Sequence, residues 1–70
     1  MTPLWTPETL AAAILWGPLD ARRFRKARRH LIEQAEHLSV EAVLAAVDAQ
    51  TDAATATRVR DGLAKVGVTP

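Results

Sequence analysis

The stretch SVEAVLAAVDAQTDAATATRVRDGLAKVGV, residues 39–68, decides the fold. Val40, Val43, Leu44 and Val47 recur at helical spacing in its first part, and Ala56, Val59, Leu63 and Val66 do so in its second. Spacings of three and four place each set on one helix face. Ser39 is an N-cap residue for the first set, and Thr51 or Asp52 for the second; a short side-chain oxygen there accepts a free amide of the first turn. The spacing predicts helices over residues 40–49 and 53–66. Gly67 stands where a left-handed C-terminal cap is needed, with Val68 placed to fold back on Leu63, the pattern of a Schellman ending. Gly62 inside the last helix costs ~1 kcal/mol against Ala.

Working upstream, Asp20 caps a helix predicted over residues 21–38. Phe24, Ala27, Leu31, Ala35 and Leu38 form its apolar stripe, widened by Ala21 and Ile32. Before it, Thr6 as cap, Pro7 at the first helical position and Glu8 facing the positive end of the dipole predict a helix over residues 7–16. Trp5 and Leu10 match a hydrophobic staple, and Gly17-Pro18 ends the helix. The run Leu10 to Trp16 is apolar throughout. Such a helix is buried on most sides or lies against a second chain, so Trp5, Leu10, Ile14, Leu15 and Trp16 are candidate residues of a dimer or partner interface. The two Trp are read as core or interface anchors. A base-stacking role is set behind that, because the apolar run between them argues for burial. The expected fold is all-α: a single domain over residues 1–70, built as a bundle of four short helices.

Composition narrows the function. The chain has 70 residues and no Cys, no Tyr, no Asn and one Ser. Disulfides, Cys-ligated zinc and a thiol nucleophile are excluded, and the inventory points away from an enzyme. Gly17, Gly62 and Gly67 stand alone, so no phosphate-cradling glycine loop is present, and no cofactor is expected. His30, Glu33 and His37 lie on one side of the second helix, but they spread over two turns of a polar face and read as solvated; no metal is expected. Seven apolar residues are too few to cross a bilayer, and no basic segment precedes them, so a cytoplasmic protein is expected. A core this small gains from association, which makes a homodimer or a protein partner an expectation.

The net charge of +1 conceals a strong local excess. Six of the eight residues from Arg22 to Arg29 are basic, interrupted only by Phe24 and Ala27. Arg22, Arg25, Lys26 and Arg29 share the face opposite Phe24, and Arg28 falls near the apolar arc. Positive charge in the first turns opposes the helix dipole. Arg22 with Lys26, and Arg25 with Arg29, are like-charge pairs one turn apart, which are mildly destabilising. A sequence shaped by stability alone would place acids early and bases late, so this inversion points to an anionic partner. Arginine forks suit phosphate oxygens.

Residues 40–60 resemble a helix-turn-helix: a short helix, a tight polar turn and a second helix. Ala45 and Ala46 sit where two helices would cross closely, and Ala49, Ala56 and Val59 occupy inward positions. The closing residues 63–68 are similar to the end of a recognition helix in winged-helix regulators. The resemblance implies that the fourth helix reads a groove, with Thr57, Arg58 and Arg60 at base edges or phosphates, while Arg22, Arg25, Lys26 and Arg29 supply backbone contacts. It reaches the motif and no family, and a plain bundle hairpin gives the same pattern. Two functions follow: a small DNA-binding protein that takes duplex DNA or another polyanion, or a protein–protein module (adaptor, inhibitor or assembly subunit) that docks through the first helix. Neutralisation of the basic face by Glu33, Glu36, Glu41 or Asp48 would favour the second. A basic face left exposed and continuous with the start of the fourth helix would favour the first.

Overall fold

Four helices follow one another in the computed structural model, which describes residues 4–70: α1 (Pro7–Leu15), α2 (Ala21–Glu33), α3 (Val40–Gln50) and α4 (Ala53–Lys65). Each begins at a side-chain cap. Thr6 Oγ1 accepts from the Thr9 amide, Asp20 Oδ1 from Arg23, Ser39 Oγ from Ala42 and Asp52 Oδ1 from Thr55, at 2.7–3.1 Å. These bonds satisfy amides that the helix itself leaves free. α4 closes as its sequence requires. The Val68 amide donates to the Leu63 carbonyl at 2.8 Å and the Gly67 amide to Ala64 at 3.0 Å. Gly67 takes φ +85° and Val68 is buried, which completes the Schellman motif.

Leu10, Ala11 and Ile14 of α1, Phe24, Ala27 and Leu31 of α2, Val43, Leu44 and Val47 of α3, and Ala56, Val59 and Leu63 of α4 meet in one core cluster. The first helix packs against α3, where Gln50 Nε2 donates to the Glu8 carbonyl at 2.9 Å. It buries one face, Leu10, Ala11 and Ile14, while Glu8, Thr9 and Ala12 are exposed, so it is not buried on most sides. α1 and α2 run antiparallel: Trp5, just before α1, sits beside His30 late in α2, while Ala13 late in α1 bonds Arg23 early in α2. Phe24 lies on Gly62 of α4, where an added Cβ would come within 2.2 Å of the phenyl ring. The glycine that weakens α4 by helix propensity is thus the surface on which Phe24 seats.

α2 departs from its predicted length. It ends at Glu33, five residues short of Leu38, and residues 34–37 form a turn. Gln34 explains the stop: it is only 7% exposed, and its Oε1 accepts the Trp5 amide at 2.7 Å. The His37 and Leu38 amides both return to the Gln34 carbonyl, which turns the chain and delivers Leu38 to the core before Ser39 caps α3. Ala35, assigned to the stripe, is exposed because the helical register has ended. Ile32 and Ala21 are also exposed. The buried arc of α2 is narrow, centred on Ala27 and Leu31, and Ile32 lies outside it. Arg28, expected near that arc, is solvent-exposed for the same reason. In the hairpin, Ala46, Ala56 and Val59 are buried as expected, but Ala45 and Ala49 face solvent. Only Thr51 and Asp52 separate α3 from α4, and Ala46 and Val47 are the residues of this part of α3 that are buried instead. No helix among the described residues is long and apolar enough to cross a membrane.

Candidate nucleic-acid interface

The six basic residues of α2 divide into one that holds the fold together and five that do not. Arg23 turns inward. Its Nε donates to the Pro18 carbonyl at 2.8 Å and its Nη1 to the Ala13 carbonyl at 2.6 Å. Ala13 lies in the last turn of α1, where carbonyls lack amide partners, and a cation there also complements the negative end of the dipole. Gly17, at φ +91°, brings the chain so close that a Cβ would meet Arg23 Nη2 at 2.8 Å. Arg23 therefore clamps the α1–α2 connection.

Arg22, Arg25, Lys26, Arg28 and Arg29 are all exposed. Around the helix axis they succeed one another over roughly 160° at about 100° per residue. Among the described residues, Asp48 pairs with Arg60, and Glu33 lies 3.9 Å from the His30 ring. None of Glu33, Glu36, Glu41 and Asp48 pairs with the five, so the block keeps its charge. Phe24, in the middle of the block, lies on Gly62 in the last turn of α4, so α2 meets the end of α4 there, not its start. The basic face is exposed as the DNA reading asks, but the expected continuity with the start of α4 is not found at this contact.

The α4 candidates are held differently from one another. Arg58 is exposed. The Thr57 hydroxyl donates back to the Ala53 carbonyl at 2.9 Å, and Arg60 is engaged by Asp48 across the hairpin. The proximity of that carboxylate offsets much of the Arg60 charge. At the start of α4, the Thr55 amide and then its hydroxyl hold the Asp52 carboxyl below the usual carboxylate range.

The first-helix candidates also separate. Leu10 and Ile14 are each 1% exposed in the chain's own core and are not surface residues. Leu15 and Trp5 are half-buried against that core. The Trp5 ring packs on His30, centroids 4.7 Å apart, and its amide is fixed by Gln34. Trp16 is not a core residue: it is 80% exposed. It occupies the C-cap of α1 with extended backbone, φ −82° and ψ 110°, so its side chain leaves the phase of the apolar face. The signal for this was Gly17-Pro18, which ends the helix before Trp16 can pack as a helical residue.

Between α1 and α2 runs an open groove of about 910 Å³. Ala12, Ala13 and Ala27 line it with small side chains that leave it open, Trp16 stands at one end and Trp5 at the other, and Arg22 and Lys26 line its α2 side. Sequence reasoning missed this groove, because periodicity shows which residues share a face but not how far apart two helices stand. No protein-family model, curated protein or solved structure matches the chain.

Proposed function

We propose that the chain is a small nucleic-acid-binding protein of regulatory or accessory type, which binds without catalysing. Its affinity comes from phosphate contacts by Arg22, Arg25, Lys26 and Arg29, with Arg28 beside them. Thr57 and Arg58 on α4 are secondary contacts, and Arg60 contributes after release from Asp48. One observation carries the reading: five cations on the first three turns of α2 are exposed and lack an acidic partner among the described residues. That arrangement lowers the helix's own stability through the dipole and through like-charge pairs, and a polyanion reverses both penalties. Anisotropy titration of labelled duplex DNA at low salt tests it. Micromolar binding that falls at least tenfold in the Arg25→Ala/Arg29→Ala double variant is expected. No binding at low salt would refute it.

A second reading, a protein-docking module, is favoured by the 80% exposure of Trp16, because a solvent-exposed indole beside an apolar groove is a common anchor at interfaces. It predicts that Trp16→Ala abolishes partner recovery while the Arg25→Ala/Arg29→Ala variant retains it.

A further inference from the structure

The α1–α2 groove joins an exposed aromatic platform, an apolar floor and a basic wall. Trp16 stands free at one end. Trp5 at the other packs its ring on His30 at a tilt of 37°, and its amide donates to Gln34 Oε1. Arg22 and Lys26 are one helical turn apart on the wall, about 6 Å along the axis. Asp20 is the acid at this groove, and its Oδ1 already accepts the Arg23 amide. The basic surface does not stop at the groove. Arg25, Arg28 and Arg29 continue over the crest of α2 into a second hollow with Ile32 and Glu33.

We propose that the groove takes unpaired bases of a single-stranded nucleic acid. This rests on the nucleic-acid reading above and names the substrate class. A base stacks on the Trp16 indole, Arg22 and Lys26 neutralise the flanking phosphates, and the strand crosses α2 to reach Arg25 and Arg29. Such a combination of aromatic platform and electropositive track is how single strands are held without sequence preference. A blunt duplex keeps its base faces stacked inside and leaves Trp16 unused. An acidic amphipathic helix in the groove would meet Arg22 and Lys26 but leave Arg25, Arg28 and Arg29 without a partner. The breadth of the basic surface therefore favours a strand over a docked helix.

The test uses the full chain carrying Trp5→Phe, so that Trp16 alone emits, with a 15-mer oligothymidylate, a blunt 15-bp duplex and an acidic amphipathic peptide as probes. The proposal expects oligothymidylate to quench Trp16 and to bind at least tenfold more tightly than the duplex. In the wild-type background, Trp16→Ala should weaken single-strand binding about tenfold or more, leave duplex binding unchanged, and be rescued by Trp16→Phe. Circular dichroism confirms that the variants fold. Equal binding of both nucleic acids, with no effect of Trp16→Ala, would overturn the single-strand proposal while the nucleic-acid reading stands. Failure of every nucleic acid would overturn both. Quenching by the acidic peptide alone, surviving Arg25→Ala/Arg28→Ala/Arg29→Ala, would assign the groove to a protein segment instead.

Discussion

Replacing Arg23 by Ala removes the bonds to the Pro18 and Ala13 carbonyls and leaves the end of α1 without its clamp. Hydrogen bonds from a charged donor are worth ~1.5–3 kcal/mol each where they are desolvated. With Arg23 half-buried, a total loss of about 2 kcal/mol is expected in urea unfolding followed by tryptophan fluorescence. Arg25→Ala should do the opposite, stabilising by up to ~0.5 kcal/mol because a like-charge pair with Arg29 disappears. Equal destabilisation by both would mean that α2 depends on charges with no partner. Gly62→Ala sets two effects against each other. Helix propensity gains ~1 kcal/mol, but the new methyl must displace Phe24, and overpacking costs ~1–3 kcal/mol. Net destabilisation is expected, with Phe24→Leu relieving part of it, so the double variant should be more stable than the sum of its single changes predicts. Residue chemistry was legible here in part. The cost of Gly62 could be read from the sequence, but its reason could not, because the phenyl ring opposite it comes from a helix nearly forty residues away. Arg23 looked like its neighbours, since only the turn at Gly17 reveals which arginine the chain folds over.

Element boundaries follow local chemistry wherever that chemistry is local. The N-caps Thr6, Asp20 and Ser39 and the Gly67 ending were readable, and the fourth cap was narrowed to Thr51 or Asp52, of which Asp52 takes the role, because each needs only a few adjacent residues. The end of α2 was not, because it depends on Gln34 meeting Trp5, 29 positions away. Gln34→Leu should therefore free the Trp5 amide, and acrylamide quenching of Trp5 in a Trp16→Phe background should rise. Unchanged quenching would remove Gln34 as the cause of the turn. Gly67→Ala forces a side chain into φ +85° and should cost about 1 kcal/mol or more, read from the thermal midpoint. The Asp52 cap gives a pH dependence. Its carboxyl is held low in the folded state by Thr55, so the unfolded chain takes up a proton first as pH falls. The stability from this cap is complete above the ordinary carboxylate range and is lost as pH falls through the lowered folded value. An Asp52→Asn variant should lack that part of the acid dependence in pH-titrated urea melts. An acid limb identical to wild type would contradict the assignment.

At the scale of the whole molecule, the Cα radius of gyration is 10.9 Å, about the ~11 Å that a folded chain of this length gives. The all-α class was legible, since four capped, periodic segments admit little else. The surface was legible only as a charge pattern. A net charge of +1 averages away a block in which six of eight residues are basic, and five of those reach solvent with no ion pair among the described residues. What the pattern could not give was the groove beside the block, or the burial of Leu10 and Ile14 in place of a surface role, because both depend on how α1 packs against α3 and α2. The central claim is that this unpaired charge binds phosphates, and the salt dependence of duplex binding tests it most directly. Four phosphates neutralised by Arg22, Arg25, Lys26 and Arg29 predict a slope of about −3.6 for log K against log salt, falling in magnitude by roughly one for each Arg replaced by Ala. A slope near zero, or one unchanged in the Arg25→Ala/Arg29→Ala variant, would contradict it.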